Sequence, residues 1–292
     1  MVTAPDFASP EELAAALDVQ NYLADEGLAT AAFVARKLGR PLFLEGEPGV
    51  GKTVFARTLA AAMGVPFRRL QCYGGIEASQ ALYDWNFPGQ ILELRAAEAG
   101  GRKPSSASLY EERFLIERPI LKAIRESPAV VLLIDEIDRA DDEFEAFLLE
   151  VLDDYAVSIP ELGERISAPA PPMVVLTSNQ TRDVHDAIKR RCVYHWIDHP
   201  ELDRETDIVR RNLPDGCEPL ARQVATLMVE LRRVELVKQP GVAESVCLAQ
   251  GVLALGADVL DPRRTAAALG TVVKHRDDWE KVRALLPRLM PG

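Results

Sequence analysis

Cysteine is scarce and scattered: Cys72, Cys192, Cys217 and Cys247 include no CxxC pair. This pattern excludes a disulfide framework and gives no protein zinc site, so the four read as reduced, mostly buried thiols. Long apolar runs are also missing; none approaches the roughly 20 residues of a membrane-crossing helix. The opening stretch MVTAPDFASPEELAAALD has neither the basic start nor the apolar core of a secretory leader. A cytoplasmic chain is the expectation. Positive charge is short as well: 34 Lys and Arg stand against 45 Asp and Glu, a net charge of -11. Such a chain repels phosphate backbones, which disfavours general nucleic-acid binding. No repeat of fixed period occurs.

What is present is ordinary for a folded protein: 48% apolar and 27% charged residues in a chain of 292. That length favours one large domain plus a smaller one. Short apolar runs at 41–45, 66–71, 130–134 and 173–177 have the character of buried strands. Helical patterns alternate with them, at 23–38, 52–63, 111–126 and 142–154. Alternation of this kind predicts an α/β fold, a parallel sheet sandwiched by helices. Residues 157–159 and 165–167, split by a turn, suggest a β-hairpin on this scaffold. Beyond residue 199 strand signals cease, and 202–212, 218–236, 242–255, 263–275 and 277–286 carry helical periodicity. The expectation is an αβα domain over 1–199, with 1–21 as an N-terminal extension, then a small all-α domain over 200–292. Residues 100–106, GGRKPSS, read as a mobile loop.

Gly46-Glu47-Pro48-Gly49-Val50-Gly51-Lys52-Thr53 fits GxxxxGK[ST] between an expected strand and an expected helix. Glycines let main-chain N–H groups turn inward around an anion with no Cβ in the way. The helix N-terminus that follows adds partial positive charge. Lys52 is suited to neutralising β- and γ-phosphate oxygens, and Thr53 to offering its hydroxyl to Mg²⁺. The pattern points to a nucleoside triphosphate. No NKxD or TKxD guanine-reading motif accompanies it, which favours ATP.

Asp135 and Glu136 end the apolar run VVLLI. In a parallel sheet, ligands collect at the carboxyl ends of strands, where the glycine loop also lies. Asp135 can hold Mg²⁺ there, and Glu136 can polarise the water that attacks the γ-phosphate. A polar strand exit before a helix is the plainer reading of the pair, since acidic residues favour helix N-termini.

With these residues in view, the chain resembles an AAA+ ATPase, and more narrowly a MoxR-type one. The resemblance spans about 22–275 and rests on GEPGVGKT (46–53), LLIDEIDRAD (132–141), VVLTSNQTRD (174–183), IKRRCVY (188–194) and DPRRT (261–265). The stretch 70–98, LQCYGGIEASQALYDWNFPGQILELRAAE, resembles the CoxD-like subgroup encoded beside molybdenum-containing carbon monoxide dehydrogenases. The resemblance implies a P-loop NTPase core followed by a helical lid. It puts Asn179 at the sensor-1 position. Arg191 matches the arginine finger that reaches a neighbouring subunit's γ-phosphate, with Arg190 as the adjacent alternative. Arg263 matches sensor 2, with Arg264 beside it. Asp138 stands where many members carry Asn and reads as an ion-pair partner for Arg139.

A finger acting in trans implies head-to-tail contacts that close into a ring; a hexamer is what the family implies. The resemblance further implies a chaperone-like remodeller of a metalloenzyme client, assisted by an adaptor with a von Willebrand A domain. A nucleic-acid motor or loader of the same superfamily is the alternative, against which the charge of -11 argues. The aromatic stretch 73–98 is either a client-binding projection or an insertion packed on the core. The 157–167 hairpin faces a central pore or is plain scaffold.

Overall fold

The computed structural model describes residues 7–101 and 106–290. The chain begins with α1 (Pro10–Val19), α2 (Glu26–Leu38), β1 (Leu42–Gly46), α3 (Lys52–Ala62) and β2 (Phe67–Gln71). It continues through α4 (Ala78–Ala81), β3 (Tyr83–Trp85), α5 (Phe87–Ala99), β4 (Leu115–Glu117), α6 (Pro119–Glu126) and β5 (Val131–Asp135). Next come α7 (Asp142–Asp154), β6 (Ala156–Ile159), β7 (Glu164–Ser167), β8 (Met173–Ser178), α8 (Asp186–Arg191) and β9 (Val193–Ile197). The remainder is helical: α9 (Leu202–Arg211), α10 (Glu218–Arg232), α11 (Val242–Ala254), α12 (Pro262–Ala268) and α13 (Arg276–Leu289).

These elements form two compact units. Among the described residues, the first holds those up to Ala16 and those within Asp25–Glu45 and Phe55–His195; the second holds Leu17–Ala24, Gly46–Val54 and those from Trp196 onward.

In the first unit the sheet order is β2-β5-β8-β1-β9, and the pairs β2–β5, β5–β8 and β8–β1 are parallel. Every residue of β1, β5 and β8 is buried. Unbroken Val, Leu and Ile runs suit strands covered on both faces, where alternation has no purpose. Ile120, Leu121, Ile124, Phe144 and Leu148, from α6 and α7, pack with Leu132 and Ile134 in one core. Because the three strands run the same way, Glu45, Asp135 and Ser178 all come to the same carboxyl edge. The second unit has its own core, built from residues such as Val209, Leu220, Leu227, Leu248 and Val282.

Several expectations shift in detail. Helix α2 starts at Glu26 and not at residue 23, because the Asp25 carboxylate caps it, accepting the Leu28 N–H at 2.7 Å. The helix expected over 111–126 is one only from Pro119 onward. Arg118 is extended, φ -96° and ψ 173°, as the residue before proline must be. Ahead of it, Leu115–Glu117 pairs antiparallel with Tyr83–Trp85. Helix α10 ends at Arg232, short of 236, and α12 gives way to a 3-10 turn at Leu269–Thr271. Strand β9 escaped the sequence reading because it lies at the sheet edge with a mixed pattern, VYHWI. The hairpin of β6 and β7 is present. Of the loop expected at 100–106, residues 102–105 lie outside the described residues. All four cysteines are free; Cys72, Cys192 and Cys217 are buried, and Cys247 is exposed. Among the described residues no helix is long and apolar enough to cross a membrane.

The aromatic stretch divides. Trp85 is buried, edge-on to Tyr83 and Tyr110. The Trp85 Nε1–H and the Tyr83 hydroxyl both donate to Glu161 of the β6–β7 turn, at 3.2 and 3.0 Å. Phe87, Ile91 and Leu92 on α5 are exposed.

Candidate functional site

In the second unit, Gly46–Thr53 forms a tight loop that ends in α3. Gly49 and Gly51 have φ of 86° and 99°, a region that side chains with a Cβ rarely enter. Lys52 is buried, and its Nζ donates to the carbonyls of Gly46 at 2.6 Å and Glu47 at 2.8 Å. The lysine thus sits against the loop's own main chain, its charge satisfied by carbonyl oxygens. Thr53 is half-buried at the start of α3.

Beside the loop lies a pocket of 360 Å³ lined by Gly49, Val50 and Gly51 together with Tyr22, Val54, Ile197, Ile208, Val242 and Val246. Arg204 closes one side by donating to the Leu23 carbonyl at 2.7 Å. An apolar slot that opens onto a glycine loop fits a nucleotide, with the base among the aliphatic chains and the phosphates at the loop. Arg263 is exposed on the first turn of α12, its N–H donating to the Asp261 cap at 3.1 Å. Arg264 pairs with the same Asp261.

In the first unit, Asp135 ends β5 and is buried. Its Oδ1 accepts the Thr177 hydroxyl at 2.5 Å, and its Oδ2 accepts Arg69 Nε and Nη2 at 3.0 and 2.6 Å. Glu136 follows with φ 56° and ψ 51°, left-handed for a residue that carries a Cβ. Strain of this kind persists only where surrounding contacts hold it. Here the Glu136 N–H donates to Thr177 Oγ1 at 2.9 Å, and its carboxylate accepts Gln71 Nε2 at 3.0 Å and Arg139 Nη1 at 2.9 Å. One threonine hydroxyl therefore holds both acidic residues in register.

Arg139 pairs with Glu136 and not with Asp138, which corrects the sequence reading. Asp138 is buried, and its Oδ2 accepts the N–H and hydroxyl of Thr181 at 2.9 and 2.6 Å. A side chain turned inward to fasten the segment after β8 cannot meet an exposed guanidinium. Asn179 is half-buried directly after β8. Arg191, at the end of α8, donates to the Leu149 carbonyl at 3.0 Å and pairs with Asp153. Arg190 is exposed, and no hydrogen bond or ion pair engages its side chain among the described residues.

Sequence reasoning passed over three residues here. Arg69 and Thr177 ligate Asp135. Glu45, buried at the end of β1, accepts from Ser178 at 3.3 Å, Lys189 at 3.3 Å and Tyr194 at 3.0 Å. It fastens the strand that leads into the glycine loop. A charge inside an otherwise apolar run, LFLE, was the one available signal.

A parallel sheet with a glycine loop after its β1 strand, and adjacent carboxylates after β5, defines a P-loop protein of AAA+ type. The family described as AAA domain (dynein-related subfamily) matches residues 41–192, and the chain belongs to it. The chain is similar to the denitrification regulatory protein NirQ of Pseudomonas aeruginosa, 25% identical over 255 residues, covering 85% of this chain and 88% of that one. It is also similar to protein NorQ of Paracoccus denitrificans, 27% identical over 205 residues, covering 67% and 66%. Among solved structures, the Thermotoga maritima RuvB Holliday junction branch migration motor matches with a TM-score of 0.52 at 14% identity, covering 97% of this chain and 79% of that one. That likeness concerns the fold alone.

Proposed function

We propose that the chain hydrolyses Mg·ATP as a ring-forming remodelling ATPase. The carrying observation is the loop Gly46–Thr53, with two left-handed glycines, a buried Lys52 and an apolar pocket along the same residues. Strand β1 runs directly into that loop and shares its carboxyl edge with β5 and β8, which end in Asp135 and Ser178. In this reading Gly46, Glu47, Pro48, Gly49, Val50 and Gly51 wrap the phosphates and Lys52 neutralises them. Thr53 and Asp135 hold Mg²⁺, which when bound offsets charge on the β- and γ-phosphates. Glu136, positioned by Gln71 and Arg139, takes the proton of the attacking water. Asn179 orients that water. Arg263 meets the γ-phosphate from the lid, and Arg190 or Arg191 meets that of a neighbouring subunit.

The same reading takes 1–199 as the ATPase core and 200–292 as the lid. Head-to-tail contacts that deliver the finger close as a ring, a hexamer by family resemblance. Hydrolysis would drive remodelling of a protein client. For the client we propose a metalloenzyme, of the molybdenum-containing carbon monoxide dehydrogenase kind, with a von Willebrand A domain adaptor. Support comes from the 70–98 resemblance, and a relative is named as a denitrification regulatory protein.

The experiment compares wild type with Lys52→Ala and Glu136→Gln. Lys52→Ala loses nucleotide binding, whereas Glu136→Gln retains ATP and loses turnover. Equal hydrolysis by wild type and Glu136→Gln would remove the catalytic assignment. Capture of bound proteins by the ATP-loaded Glu136→Gln chain tests the client class. Stimulation of hydrolysis by single-stranded DNA, in place of a client protein, would overturn it.

A further inference from the structure

The back of the phosphate loop is bonded to a helix. The Gly49 carbonyl accepts the N–H of Val242 at 3.1 Å and that of Ala243 at 3.4 Å, the first two residues of α11. Amides in a first helical turn have no partner inside their own helix. Here they find one in the loop.

The approach is main chain against main chain. A Cβ placed on Gly241 would stand 2.7 Å from Gly49 Cα, 2.8 Å from Gly49 C and 2.8 Å from the Pro48 oxygen. None of those atoms can swing aside. Gly241 itself has φ -86° and ψ -177°, extended backbone open to any residue, so proximity and not conformation demands glycine there. From the other side, a Cβ on Gly49 would meet Gly241 Cα at 3.1 Å.

A buried polar frame fixes the segment that carries Gly241. Arg232 Nε donates to the Pro240 carbonyl at 2.9 Å. The Arg232 guanidinium also makes a two-pronged pair with Glu205, at 2.5 and 2.7 Å, and Glu205 is wholly buried. Ser245, one turn into α11, donates to the same Glu205 at 2.5 Å. The Gly241 N–H donates to Glu244 at 3.0 Å.

A trans peptide points its C=O and N–H in opposite directions. Holding the Gly49 carbonyl against α11 therefore turns the Val50 N–H the other way. We propose that the N-terminus of α11 is a positioning part of the nucleotide site: its first two amides fix and polarise the Gly49–Val50 peptide so that the Val50 N–H is presented to a phosphate. Gly241 permits the approach, and the Glu205–Arg232 pair keeps it in place. The inference rests on the ATP site proposed above. Hydrogen bonds in a chain strengthen one another, so a bonded Gly49 carbonyl makes its own peptide N–H a better donor. By linkage, phosphate binding tightens the seat of α11 to the same extent.

The test removes one donor and leaves the helix. Val242 is the first residue of α11, where proline is well accepted, and the extended Gly241 suits a residue before proline. Methylanthraniloyl derivatives of adenosine and ADP are titrated by fluorescence against wild type, Val242→Pro, Val242→Ala and Gly241→Ala, each as the full chain. Val242 also lines the base pocket, so Val242→Ala supplies the side-chain control. In Val242→Pro the preference for ADP over adenosine falls about tenfold, the worth of one hydrogen bond supporting a charged ligand. Gly241→Ala shows the same loss, and Val242→Ala keeps the wild-type preference. An unchanged preference in Val242→Pro, or equal weakening of both ligands, overturns the inference while leaving the ATP site standing. A wild-type chain that binds neither ligand overturns the site and the inference together.

Discussion

Arg69 grips the carboxylate of Asp135 with two donors on one oxygen, Nε at 3.0 Å and Nη2 at 2.6 Å, across 66 residues of chain. The arginine is part-exposed and the aspartate is not. A guanidinium on the carboxylate proposed to serve Mg²⁺ competes with the cation for the same charge. Arg69→Ala should therefore lower the Mg²⁺ concentration that half-saturates hydrolysis. A rise in that concentration would show that Arg69 instead holds Asp135 in its working orientation.

Arg190 and Arg191 differ in what they already touch. Arg191 is tied to α7 through Leu149 and Asp153, whereas Arg190 is exposed. Arg191→Ala should cost about 1 kcal/mol in urea denaturation, the worth of a hydrogen bond to a carbonyl. Arg190→Ala should leave unfolding unchanged. If Arg190 is the finger, mixing Arg190→Ala with Lys52→Ala subunits restores hydrolysis at mixed interfaces. Recovery seen only with Arg191→Ala assigns the finger to Arg191.

Cys247 is an exposed thiol on the wall of the apolar pocket beside the glycine loop. Burial pushes the Cys72 thiol up to about 12, aided by Asp135 and Asp138, and burial alone does the same for Cys192. Thiolates are the reactive form, so iodoacetamide should modify Cys247 well before either. ADP should slow that modification, as followed by mass spectrometry of peptides. Cys72 or Cys192 reacting first, or Cys247 reacting equally fast with ADP, would contradict this placement.

His199 titrates below its ordinary value of 6.5, first because it is buried and second because Arg232 lies nearby; Glu205, Glu47 and Asp198 oppose the shift. Its Nδ1 is buried without a hydrogen-bond partner among the described residues. The unfolded chain thus takes up the proton at higher pH than the folded one. Stability is complete above the unfolded value and declines as pH falls from about 6.5 toward the folded value. His199→Gln should flatten that part of a stability profile measured by thermal unfolding from pH 8 to pH 5. A profile unchanged by the substitution would place the acid sensitivity elsewhere.

The glycine loop, the apolar strands and the limits of several helices could be read along the chain because they depend on neighbours a few residues apart. Asp142–Asp154 is such a case, with Asp141 capping the Phe144 N–H, as is Lys52–Ala62 after its glycines. By the same reasoning Asp135 and Glu136 could be named from the run that precedes them. Their surroundings could not, because Arg69 and Thr177 reach Asp135 from β2 and β8, and the pairing register that brings them there has no signature in local spacing. Asp138 was misjudged for that reason: proximity in sequence suggested Arg139, while tertiary packing delivered Thr181. The meeting of Gly49 with Gly241 was decided only by the fold, since contact between two backbones leaves no trace in sequence beyond two residues without side chains.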